Sequence, residues 1–208
     1  SLGSNNNFVF EEQIVASLGR GVLIHTFDCT VDTPRVPTAI EPNVVFHRVC
    51  IGPRDETVDS VTRYPGKVVG EFRTGATRRV FKTWHTIVSE MRRAGQLTAP
   101  PDLFKIDIEG HERSWLWSLL AAPTPWLPRQ ILIELHYNTM TQDGEWYGNT
   151  GRRLVSTGEL GMLAQLWHNA GYRLISREDN PQSSTCTELT LLLVEGCSPA
   201  TNLRTGAP

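Results

Sequence analysis

Apolar positions recur along the chain in two periods. Short runs rich in β-branched and aromatic residues occupy 22–27, 44–51, 103–108, 129–137, 172–176 and 188–194, and several close on Asp, Gly or Pro; these are strand signals. Between them lie segments with helical spacing. Residues 8–18 form one, stopped by Gly19 or Gly21. Residues 81–94 form a second, with Phe81, Trp84, Ile87, Val88 and Met91 on one face. A short third, rich in Trp and Leu, covers 112–120, and a fourth runs from a cap at Ser156 or Thr157 to about Ala170, where Gly171 ends it.

Such alternation predicts an α/β domain, a mostly parallel sheet with helices on both faces. The last two strands are joined by only about a dozen polar residues. A parallel connection needs at least that many and usually a helix, so the final strand is expected to run antiparallel as a hairpin. Residues 1–7 read as the loop after a first strand that the chain lacks. Residues 53–78 read as a long polar excursion with one short strand near 67–72, and 138–153 as a polar loop carrying Trp146 and Tyr147. The domain is expected to span 1–196, with 197–208 a loose tail.

Composition narrows the function. The 208 residues suit one domain with a real core, and a net charge of −2 provides no field for nucleic acid. The densest basic stretch, between Arg73 and Arg93, reads as a solvated face or as a phosphate or sulfate contact. No apolar run reaches membrane-span length, so no membrane segment is expected. None of the four cysteines forms a C-x-x-C pair. Cys29 and Cys50 read as buried thiols near neighbouring strands, with a disulfide open to them in an oxidising compartment.

The candidate chemistry sits where strands end. Gly3-Ser4-Asn5-Asn6-Asn7 precedes a helix: glycine admits a ligand to the backbone and asparagine tolerates left-handed dihedrals. A plain β-to-α turn would look the same. Asp28 closes the second strand 25 positions after Gly3, where an acidic residue holds a nucleotide ribose or forms an Asx turn. Gly52 ends the third strand, beside the expected place of a nucleobase. Asp107, Glu109, Glu112, Glu134 and His136 gather on two further strand ends. Gathering several carboxylates there is costly unless they serve a ligand, a proton or a metal.

The stretches 1–12, His25-Thr-Phe-Asp28-Cys-Thr30, Phe104-Lys-Ile-Asp107-Ile-Glu109-Gly-His-Glu112 and Gln130-Ile-Leu-Ile-Glu134-Leu-His136 resemble the "methyltransferase-like" domain of animals and algae, a relative of the FkbM-type S-adenosylmethionine-dependent methyltransferases. The resemblance runs from Ser1 to about Val194. It implies a doubly wound, seven-stranded class I methyltransferase fold, with S-adenosyl-L-methionine as cofactor. It places Gly3, Ser4, Asn5 and Asn6 on the cofactor's methionine and ribose, Asp28 on the ribose hydroxyls, and Asp107 on the reaction side. It also implies O-methylation of a sugar or other small-molecule acceptor. An N-terminal membrane anchor is common in such proteins, which leaves the compartment open.

Methyl transfer needs an aligned acceptor oxygen and a base for its proton. Asp107 and His136 are the candidate bases, oriented by Glu109 and Glu134. No metal is assigned, although a divalent ion held by some of Asp107, Glu109, Glu134 and His136 would serve the same end. Two other readings fit less of the chain. A nicotinamide-dependent oxidoreductase would share the glycine loop but need further glycines. A methyltransferase fold kept as a glycan- or protein-binding module would have no need of the carboxylates.

Overall fold

The computed structural model describes residues 1–59, 78–108, 112, 115–116, 119, 126–137, 156–181 and 186–194. The expected strand near 67–72, the aromatics Trp146 and Tyr147, Glu109 and the tail lie outside these. The described elements are α1 (Val9–Leu18), β1 (Ile24–Phe27), a 3-10 turn (Glu41–Asn43), β2 (Val44–His47), β3 (Cys50–Ile51), β4 (Glu56–Asp59), β5 (Arg78–Lys82), α2 (Trp84–Arg93), β6 (Leu103–Ile106), β7 (Gln130–His136), α3 (Thr157–Asn169), β8 (Tyr172–Asp179) and β9 (Cys186–Leu193). Glu112, Trp115, Leu116 and Leu119 are also helical.

β1 pairs with β2 in parallel, and β6-β7-β9-β8 form a four-stranded sheet. Leu2 bridges the two, in parallel with both Phe27 and Ile106. The hydrogen bonds alternate from side to side. Ser1 and Gly3 bond to β1 (Phe27 N to Ser1 O, 2.9 Å; Gly3 N to Phe27 O, 3.0 Å), and Leu2 bonds to the other side (Leu2 N to Lys105 O, 2.8 Å; Asp107 N to Leu2 O, 3.0 Å). The lateral order is therefore β2-β1-Leu2-β6-β7-β9-β8. β6 and β7 run parallel, while β9 is antiparallel to both β7 and β8, which gives the antiparallel hairpin expected of the last strands.

The core follows strand parity. Phe104, Ile106, Ile131, Ile133, Leu135, Leu189 and Leu191 pack with Trp84, Ile87, Trp115, Leu119, Leu163 and Trp167 of the helices. A second cluster joins Phe8 and Val15 to Ile24 and Ile40. Ile24 and Phe27 differ in parity, so α1 covers the face of β1 opposite the main core.

Several boundaries depart from the sequence reading. The run 44–51 is two strands: Val49 N turns back onto His47 O (2.8 Å), and β3 pairs in parallel with β5 in a separate sheet, β3-β5-β4. Phe81 belongs to β5 and not to the helix, because Thr83 caps α2 by accepting from Thr86 N (3.2 Å). The strand expected over 103–108 ends at Ile106. β8 extends to Asp179, three residues beyond its apolar run; it is an edge strand, where charged side chains reach water without cost. The helix expected after Ser156 is present with a full capping box, Ser156 and Glu159 each bonding the other's backbone. Cys29 and Cys50 form a disulfide, so the reading of buried thiols gives way to the bonded alternative.

Candidate functional site

Gly3 leaves the sheet at φ +78°, and a Cβ there would lie 1.8 Å from the carbonyl oxygen of Asp107. Only glycine allows the two backbones to approach this closely. Asn5 and Asn6 follow at φ 45° and 61°, left-handed values that asparagine accepts better than most residues. Asn6 is then occupied structurally, taking Arg35 N on its Oδ1 (2.8 Å).

Asp28 fastens this loop. Its Oδ2 accepts from Ser4 N (2.9 Å), Ser4 Oγ (3.1 Å) and Asn5 N (2.7 Å), and its Oδ1 accepts from Thr30 N (2.8 Å) and Thr30 Oγ1 (2.5 Å). Burial opposes charge on this carboxyl, but the bonds from Thr30, Asn5 and Ser4 outweigh it and hold its pKa below the ordinary value. Gly52 is drawn toward the same region by the Cys29–Cys50 disulfide. It packs against Phe81, whose side chain would stand 3.2 Å from an added Cβ. That contact is a packing reason for glycine independent of any ligand.

Lys105 links the loop to the next strand end, donating to Gly3 O (2.8 Å) and to Asp107 Oδ2 (3.1 Å). Asp107 is half-buried. Beyond it, buried Glu112 accepts from Ile108 N (3.1 Å) and sits 3.1 Å from His136 Nδ1. Glu112, an acid to which the sequence reading gave no such role, thus faces the imidazole. Glu134 is held elsewhere: its Oε1 accepts from Cys186 Sγ (2.8 Å) and Asn180 Nδ2 (3.3 Å). Partial burial raises the pKa of Glu134, but these bonds together with His136 and Lys105 bring it below its ordinary value.

Cys186, Asn180 and Glu188 carried no signal in the sequence. They join the site through register, since β9 sets Cys186 opposite His136 and Glu188 opposite Glu134. Glu188 has its pKa raised, first by partial burial and then by the charges of Glu134 and Asp107. The strand register sets Glu188 beside Glu134, and β7 lies next to β6, which leads into Asp107. The carboxyl ends of β6 and β7 and the start of β9 therefore meet beside the glycine loop. A separate apolar cavity of about 370 Å³, lined by Leu135, Leu163, Trp167, Leu189 and Leu191, lies under α3 on the main-core side. Glu134 and His136, of opposite parity to Leu135, are not among its lining residues.

These features, a glycine loop clamped by the acid after the second sheet position and carboxylates at the following strand ends, are those of a methyltransferase domain. The chain belongs to the methyltransferase-domain family whose model matches residues 1–193. Its structure is similar to the methyltransferase FkbM from Methylobacillus flagellatus KT (TM-score 0.51, 12% identity), covering 92% of this chain and 42% of that one. It is also similar to the methyltransferase domain of bacterial CtHen1-CN (TM-score 0.40, 9% identity, 93% and 88% covered). The chain thus spans less than half the length of the FkbM protein. No curated protein matches it.

Proposed function

We propose that the chain binds S-adenosyl-L-methionine over Gly3, Ser4, Asn5 and Asn6, with Asp28 toward the ribose and Gly52 toward the base, and methylates a hydroxyl of a sugar or other small molecule. The support is the meeting of the glycine loop, Asp28 and Asp107 at one point, carried by the approach of Gly3 to the Asp107 backbone. The lateral order of strands, with Leu2 in the first-strand place, supports a doubly wound, seven-stranded class I sheet as the parent architecture. For Asp28 to accept ribose hydroxyls, these take the places of the Ser4 and Thr30 side-chain hydroxyls while the backbone N–H donors stay.

The bound cofactor supplies an electrophilic sulfonium methyl. The chain would hold the acceptor oxygen in line with the methyl–sulfur bond and accept its proton as the methyl passes from sulfur to oxygen, the sulfur keeping the electron pair as a neutral thioether. Asp107 is the proposed base: it is half-buried at the end of β6, and its Oδ2 accepts from Lys105 Nζ (3.1 Å). His136, aligned by Glu112, is the second candidate.

Calorimetric titration with S-adenosylhomocysteine and with NAD tests the reading. Binding of the first alone is expected, and Asp107→Ala should keep that binding while methyl transfer falls by about 10²–10⁴, the worth of a general base. Binding of NAD alone would overturn it.

A further inference from the structure

We propose that Glu134, His136 and Cys186 form a three-ligand site for a borderline-soft divalent cation, with Zn²⁺ the ion that fits. The site is built by strand geometry. Glu134 and His136 are two apart on β7 and share a face, and Cys186 is the cross-strand partner of His136 on β9. One ligand atom from each lies within 4.8 Å of the other two. Ligands of a tetrahedral zinc ion stand roughly 3.4–3.6 Å apart, so closure needs side-chain adjustments of about 1 Å.

The donor set selects the metal class. Thiolate, imidazole and one carboxylate suit zinc, whereas Mg²⁺ and Ca²⁺ prefer oxygen ligands alone. Three protein ligands also leave a fourth position open, as in catalytic rather than structural zinc sites.

The surroundings support each ligand. Glu112, buried in the core, faces His136 Nδ1 at 3.1 Å, the carboxylate–imidazole arrangement that fixes the tautomer and makes Nε2 the ligating atom. Asn180 Nδ2 donates to both Glu134 Oε1 (3.3 Å) and Cys186 Sγ (3.5 Å), which favours carboxylate and thiolate alike. The Cys186 thiol proton already points at Glu134 Oε1 (2.8 Å). On binding, the cation takes that proton's place: sulfur, imidazole nitrogen and carboxylate oxygen each give a lone pair to the metal, and one proton leaves to solvent with no redox change. Occupancy removes His136 from proton transfer and leaves Asp107 as the sole base candidate. The site does not depend on methyl transfer.

The test uses the whole 208-residue chain with its Cys29–Cys50 disulfide intact and Co²⁺ and Zn²⁺ as probes. One equivalent of Co²⁺ should bind per chain with a thiolate-to-cobalt charge-transfer band, and Zn²⁺ should bleach it. Calorimetry in buffers of different ionisation enthalpy should show about one proton released. Cys186→Ser should abolish the band, Cys197→Ser should leave it, and His136→Ala should weaken binding at least tenfold. Glu112→Gln, which keeps a hydrogen-bonding group at that buried position, should weaken binding about 10–100-fold. No stoichiometric binding by the wild-type chain, or a band that survives Cys186→Ser, would overturn the proposal.

Discussion

The α-carbon of Gly3 faces the carbonyl oxygen of Asp107 so closely that a methyl group there would sit 1.8 Å from it. Gly3→Ala meets both this backbone clash and an unfavourable positive φ. A cost of at least about 1–3 kcal/mol is expected from the dihedral alone, with loss of S-adenosylhomocysteine binding. Denaturant unfolding and calorimetry check both; unchanged stability would mean that the loop is free to move away from β6.

Asp28 accepts five bonds from three residues, so Asp28→Ala should cost at least about 1.5–3 kcal/mol, the worth of one hydrogen bond to a charged group. Its folded pKa is depressed. Its contribution is therefore complete above the unfolded carboxylate value and is lost as pH falls through the folded value. Urea midpoints of wild type and Asp28→Asn should differ at neutral pH and converge in strong acid.

His25 Nδ1 lies 2.9 Å from His47 Nε2, and its pKa is lowered to about 4, by burial first and then by His47. A histidine kept neutral by the fold contributes stability that is full above the unfolded value of about 6.5 and lost as pH drops toward 4. His25→Phe should flatten the stability profile between those limits. A wild-type profile already flat there would show that the pair is not held neutral.

The Cys29–Cys50 disulfide closes a separation of 21 residues, worth about 3 kcal/mol through restriction of the unfolded chain. Reduction, or the double change to alanine, should lower Tm by roughly 6–12 °C. It should also loosen the Asp28 end of the candidate crevice, read as weaker S-adenosylhomocysteine binding. Disulfides form and persist in oxidising compartments, so mass spectrometry of protein made in the secretory pathway should find these two cysteines joined.

Local signals were legible where one element determines its own shape. The helix start at Ser156 or Thr157, the glycine loop and the strand bearing Glu134 and His136 were all visible in the sequence. What escaped depended on partners distant in sequence. The break at Arg48 and Val49 is set by β5, a strand with no legible signal. Cys186 and Glu188 look like ordinary hairpin residues until the pairing of β9 with β7 sets them against His136 and Glu134. Glu112 was visible as one acid among several, but its hold on His136 follows only from the packing of the helix beneath β7.

The short segment Ser1–Gly3 joins β1 to β6, Ser1 and Gly3 bonding to one and Leu2 to the other, and the loop that follows it rests one side on Asp28 and the other on Lys105. Any molecule lodged over that loop straddles the seam between the two halves and splints them together. Occupancy should therefore raise the midpoint of the unfolding transition.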